Sequence, residues 1–237
     1  MKKNSNSCLL NALLVISTIV LVMSFAILFH WYSEGKHVQK EIQDIKTTQV
    51  SDEDKPTDKK VIPKIANCVA WLEIPNTSID FPVMQKKGNS DYYLRRNYKG
   101  EYSYSGTPFL DENCTIGTSQ NLIVYGHNMK DGTMFSSLMN YKDLEYCKQN
   151  QTIELIVDDM AFEYKLYAVC KVASDDGWYS FTSKPSQITF DELISHIQNK
   201  AIYLSEDKAK YEDYFLTLST CEYSQTNGRL IVIAKRK

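Results

Sequence analysis

From residue 69 to residue 234 the chain is cut into short apolar, β-rich runs separated by turn signals, and this constrains the fold more than any other feature. The runs are Val69–Ile74, Ile79–Met84, Thr107–Leu110, Leu122–Tyr125, Thr152–Val157, Phe162–Val172, Tyr214–Thr220 and Leu230–Ala234. Pro75-Asn76, Lys87-Gly88-Asn89, Asp131-Gly132, Asp158-Asp159 and Asn227-Gly228 punctuate them. Many short strands at this spacing predict a mainly β barrel or sandwich, not a parallel sheet. Two helices interrupt the pattern. Thr133–Tyr141 is short. Thr189–Tyr203 is clearer, with Phe190, Leu193, Ile194 and Ile197 on one face and Thr189 with Glu192 fitting a capping box.

The N-terminus sets the compartment. After Lys2 and Lys3, Leu9 to Phe29 carries no charged residue, which matches the ~20 residues a membrane-spanning helix needs. Trp31 and Tyr32 follow where an interfacial aromatic belt would sit. This reads as an uncleaved signal-anchor. A cleaved leader is the rival, but Ile27-Leu28-Phe29 continue the apolar run past Ser24-Phe25-Ala26. Lys36, Lys40 and Lys46 dilute the positive-inside signal. Val38, Ile42 and Ile45 recur at helical spacing, so a stalk or docked helix is expected over His37–Gln49, and the polar stretch Ser51–Lys60 with Pro56 reads as a linker. The expected organisation is a short cytoplasmic N-terminus (1–8), a transmembrane anchor (9–31), a stalk and linker (32–64) and a folded domain (65–237).

A formal charge of −2 gives no electrostatic case for nucleic acid. Six widely scattered cysteines without a CxxC pair argue against both a disulfide framework and a zinc site. Cys8 lies in the apolar N-terminal span, and Cys68, Cys114, Cys147 and Cys170, without a chemical context, read as small buried apolar residues.

Cys221 has a context. In the strand-like run Phe215 to Cys221, period-2 alternation puts Phe215, Thr217, Ser219 and Cys221 on one face. The more apolar Leu216 and Leu218, with Thr220, would face the core, leaving Cys221 toward a groove or solvent. A strand-end cysteine taken alone is more often structural. The short loop Glu222–Gly228 suggests a hairpin that returns Arg229 beside Cys221. A lone Arg229 would be a solvated edge charge, but beside a thiol a guanidinium can stabilise an oxyanion. His127 closes the run Leu122–Tyr125 and becomes an acid/base candidate once a nucleophile is in reach. His196 lies off the apolar stripe of its helix and reads as a surface residue.

These segments resemble the sortases, specifically class B. The TLxTC signature stands as Thr217-Leu218-Ser219-Thr220-Cys221, and the basic residue as Arg229 in Gly228-Arg-Leu-Ile-Val. The histidine segment is Tyr125-Gly126-His127-Asn128-Met129-Lys130-Asp131-Gly132-Thr133-Met134-Phe135. Trp71 to Val83 and Gly106 to Asp111 add support, so the resemblance covers residue 65 to the C-terminus. The stretch between Cys221 and Arg229 is shorter than in some class B members.

The resemblance implies a closed eight-stranded β-barrel with N-terminal helices and one helix inserted before the cysteine strand. It implies a cysteine transpeptidase held outside a Gram-positive cell by its N-terminal helix. Cys221 would attack the threonine carbonyl of an NPxT[N/G]-like sorting signal. His127 would protonate the leaving amine and deprotonate the incoming one, and Arg229 would steady substrate and oxyanion. Ser219 and Glu222 would line the groove. The partners implied are secreted proteins bearing the signal and an amino group of cell-wall peptidoglycan, with pilin polymerisation as the alternative role. No cofactor or metal is implied. A papain-like protease would also pair Cys and His, but it places its cysteine early and at a helix start. A non-catalytic, membrane-anchored binding module would explain anchor and linker but not the contexts of Cys221, His127 and Arg229.

Overall fold

The computed structural model describes residues 4–50, 64–158 and 160–237. Two compact units are present, Met1–Glu41 and Ile42–Lys237. The first helix, α1 (Asn4–Val50), runs across that division and absorbs the stalk helix expected at His37–Gln49. Within it the apolar stretch Leu9–Phe29 leaves its large side chains exposed. Its hydroxyls are satisfied on the helix itself: Ser17 and Thr18 donate to the Leu14 carbonyl and Ser24 to that of Val20. Back-bonding of this kind is why three polar residues do not interrupt an otherwise apolar span. The expected linker, Ser51–Lys60, lies outside the described residues.

Nine strands follow among the described residues: β1 (Cys68–Glu73), β2 (Asp80–Met84), β3 (Phe109–Leu110), β4 (Asn121–Tyr125), β5 (Thr152–Val157), β6 (Met160–Ala173), β7 (Ala201–Leu204), β8 (Phe215–Cys221) and β9 (Gly228–Arg236). Their order is β5-β1-β2-β3-β4-β8-β9-β6, and a β5–β6 pairing closes the ring. This is the closed eight-stranded barrel expected. Closure removes the free sheet edges that invite aggregation, except where β6 runs on past the end of β5. The 14-residue β6 makes closure possible, pairing with β5 through residues 160–165 and with β9 through residues 164–173.

Strand β7 is an addition outside the ring and corrects the expected helix Thr189–Tyr203. Helix α3 spans Gln187–Lys200, and Ala201 leaves it to pair with Cys170 on the free edge of β6. Ile202 and Tyr203 suit a pleated, half-buried surface, so edge pairing overrides the helical run. The cap differs too: the N-cap is Ser186, not Thr189, and its hydroxyl accepts from the Thr189 amide. The short helix expected at Thr133–Tyr141 is a 3₁₀ segment, Phe135–Lys142, followed by α2 (Leu144–Gln149).

Both faces of β8 are buried from Phe215 to Thr220, and only Cys221, at its end, is partly exposed. Phe215 and Thr217 are fully buried beneath α3 and the 3₁₀ turn Gly177–Ser180, in a cluster with Trp178, Phe181, Phe190, Ile194 and Ile197. Trp178 donates its indole N–H to the Thr217 hydroxyl at 3.0 Å, satisfying both buried polar groups. Alternation then turns Leu216, Leu218 and Thr220 into the barrel.

Candidate active site

Strand pairing alone brings the three chemical side chains to one rim. β4 and β8 run parallel, with Tyr125 opposite Ser219, so both strands end at the same side of the barrel. His127 lies two residues beyond Tyr125 and Cys221 two beyond Ser219. β9 runs antiparallel to β8, and its residue opposite Cys221 is Arg229. Three bonds extend the β4–β8 contact past the last ladder pair. The Gly126 amide donates to Ser219 O (3.1 Å), Thr220 Oγ1 to Gly126 O (2.8 Å) and Asn128 Nδ2 to Cys221 O (3.0 Å).

The histidine segment is held down by packing. A Cβ at Gly126 would lie 2.5 Å from the Phe135 ring, so only glycine lets that ring sit against the strand end. The Phe135 amide donates to His127 O at 2.9 Å, and Asn128 bridges to Met134. The side chain is fixed from the other direction, with Nε2 2.9 Å from the carbonyl of Leu94. Burial lowers the His127 pKa from 6.5. The Leu94 bond opposes that and the nearby Arg95 charge adds to it, so the imidazole is neutral at pH 7.

His127, Cys221 and Arg229 line one cleft of ≈ 410 Å³, with Leu94, Tyr125, Tyr179 and Ser219 among its walls. All three are partly exposed. The Arg229 guanidinium donates to Gly228 O at 3.0 Å and pairs with no carboxylate among the described residues. Cys68, Cys114, Cys147 and Cys170 are also free thiols, but burial pushes the first three up to about 11 and Cys170 to about 12. Those four are inert near neutrality.

Ser219 is among the residues that line the cleft, although it is itself buried, and shares a 2.7 Å hydrogen bond with Tyr179 Oη. Glu222 does not line it. Its side chain is 3% exposed and turns away to Lys142 Nζ at 2.5 Å, with Lys171 at 3.7 Å. It also accepts from the amide and hydroxyl of Ser224. These partners outweigh burial and hold its pKa at about 2. Glu222 therefore organises the β8–β9 turn.

Sequence reasoning missed Leu94 and the aromatic wall. Tyr125 stacks on Tyr179 at 6.0 Å and packs against Phe109 at 5.5 Å. Tyr125 donates to Asp111, and burial pushes the Tyr179 hydroxyl up to about 12, so it stays protonated. Tyr179 reaches the cleft because Asp176 caps its 3₁₀ turn through the Trp178 amide. Asp176 is in turn gripped from α3 by His196 (2.9 Å) and Lys200 (2.8 Å). His196 is thus a partner of Asp176 and not a free surface residue. Among the described residues, no group of three or more His, Cys, Asp or Glu side chains could hold a metal.

The closed barrel thus carries Cys221, His127 and Arg229 on one rim. The sortase domain model matches residues 72–237, and the chain belongs to the sortase family, which are cysteine transpeptidases. Within it the chain is class B. It is 34% identical over 215 residues to sortase B of Listeria monocytogenes, covering 85% of this chain and 86% of that one. A solved Staphylococcus aureus sortase B superposes with a TM-score of 0.73 at 26% identity, covering 86% and 98%. A sortase B–substrate complex from the same organism superposes at 0.69 with 25% identity, covering 85% and 86%.

Proposed function

We propose that this class B sortase cleaves an NPxT[N/G]-like sorting signal after threonine and transfers the protein to an amino group of cell-wall peptidoglycan. Cys221 Sγ attacks the threonine carbonyl while His127 takes the thiol proton. Arg229 stabilises the oxyanion as the C–S bond forms. The C–N bond then breaks as His127 protonates the leaving nitrogen, which leaves a thioester on Cys221. The incoming amine gives a proton to His127 and attacks that thioester, releasing the thiol. Splitting amide exchange in this way lowers each barrier, and an amine that outcompetes water makes the result transpeptidation.

The observation that carries this reading is the pairing of Cys221 with Arg229 across β8 and β9, beside His127 in the same cleft. Ser219, with Tyr179, forms part of the wall along which the peptide lies. The apolar helix Leu9–Phe29 supports a single-pass anchor, with residues 1–8 cytoplasmic, 32–64 a stalk and linker, and a catalytic domain over 65–237 outside the cell. Full-length chain in detergent, incubated with NPxTN, NPxTG and LPxTG peptides with and without an added amine, provides the test. Chromatography should resolve an amine-capped product with an NPxT peptide. Hydrolysis alone, or no turnover by folded protein, would contradict transpeptidation of this signal.

A further inference from the structure

We propose that Gly106 is a positioning residue for His127, acting through the main-chain carbonyl of Leu94 to hold the proton of the neutral imidazole on Nε2. This rests on the reaction proposed above. A carbonyl oxygen can only accept, so an Nε2 atom 2.9 Å from Leu94 O must carry the hydrogen. The lone pair of neutral His127 is then on Nδ1, the nitrogen left for proton transfer in the cleft. In acylation Nδ1 takes the Cys221 thiol proton and gives it to the leaving nitrogen, while Nε2–H stays on Leu94. The contact strengthens while the ring is an imidazolium.

Leu94 does not hold itself. It lies in the 3₁₀ turn Tyr92–Arg95, which residues 103–107 clasp from outside. The Thr107 amide donates to Tyr93 O (3.1 Å), the Ser103 amide to Arg95 O (3.1 Å) and Thr107 Oγ1 to Arg96 O (3.0 Å). At the centre of this clasp Gly106 has φ +59°, and a Cβ there would lie 2.5 Å from Leu94 O and 2.7 Å from Tyr93 O. The loop closes flush on the carbonyl because position 106 has no side chain. Gly88 is the contrast: φ is +76°, yet nothing lies within 4 Å of a Cβ. Alanine strains the backbone at both positions but displaces Leu94 only from 106.

The test is long-range ¹H–¹⁵N NMR of full-length, ¹⁵N-histidine-labelled chain in detergent micelles, with His127 assigned by the His127→Gln variant. Wild type should carry its neutral proton on Nε2. Gly106→Ala should mix the tautomers and move the His127 titration to lower pH, because a contact favouring the charged ring is lost. It should also cut kcat about tenfold, a fraction of what acid–base catalysis supplies, with KM within about twofold. Gly88→Ala should match wild type in all of these. Thr107→Val removes one bond of the clasp without backbone strain, and should shift the titration in the same direction if Gly106→Ala does not fold. A wild-type proton on Nδ1, or a Gly106→Ala titration equal to that of Gly88→Ala, overturns the assignment, as does an unmoved Thr107→Val titration where Gly106→Ala is unfolded. The correct tautomer in a chain that turns over no peptide would count against the proposed reaction and leave the Leu94 contact standing.

Discussion

At the scale of single residues, the cleft combines a partly exposed thiol, a neutral imidazole and a guanidinium without a carboxylate partner among the described residues. His127 ties the chemistry to pH. Its folded pKa lies below 6.5, so between those two values the unfolded chain binds the extra proton. Above 6.5 neither state is penalised, and stability falls as pH drops through the window toward the folded value. A His127→Gln variant should lose less melting temperature than wild type between pH 7.5 and 5. The acid limb of turnover should have its midpoint below 6.5, and one above it would contradict a neutral His127. Arg229→Lys keeps the charge but loses the planar fork, so kcat/KM should fall about 10²-fold in the peptide assay with little change in melting temperature. Glu222→Gln should instead lower stability by about 1–2 kcal/mol in denaturant titration, a modest figure because Lys142 and Lys171 remain in contact with water. Its contribution is present above its ordinary pKa of 4.5 and is lost as pH falls from there toward about 2.

At the scale of elements, parallel pairing of β4 with β8 and antiparallel pairing of β8 with β9 do the assembling. Cys221, His127 and Arg229 were legible in the sequence because each closes or opens an apolar run with a turn beside it. The β8–β9 hairpin was legible because Asn227 tolerates a left-handed φ, here 55°. Glu222 was misread: the resemblance placed it in the groove, but its side-chain direction is decided by Lys142, 80 residues away. Tyr179 was missed because its place depends on the α3 residues His196 and Lys200 gripping Asp176. The one local signal was Asp176 ahead of Gly177-Trp178, a cap before a short turn. Strand β7 was missed because Ala201–Leu204 continues a helical apolar pattern, and only the free edge of β6 makes it a strand. Gly126→Ala should dislodge the His127 segment by overlapping Phe135, with turnover falling at least about 10²-fold while circular dichroism keeps its β signature.

At the scale of the whole molecule, closure of the barrel through β5 and β6 makes the cleft a feature of a rigid rim. Eight strands could be read from period and turn signals because each is bounded by turns, and all but β6 are short. The closing pair could not, because it depends on one strand, β6, being long enough to serve two neighbours. The 21-residue span Leu9–Phe29 would extend roughly 31 Å as a helix, enough for a bilayer core. Removing residues 1–31 should therefore move the protein from the membrane to the soluble fraction on ultracentrifugation. The most direct measurement is peptide-level mass spectrometry of full-length protein trapped with an NPxT peptide in the absence of added amine. An acyl mass should appear on the tryptic fragment containing Cys221, be discharged by added amine and be absent from Cys221→Ala. An adduct on another cysteine, or turnover surviving in Cys221→Ala, would contradict Cys221 as the nucleophile.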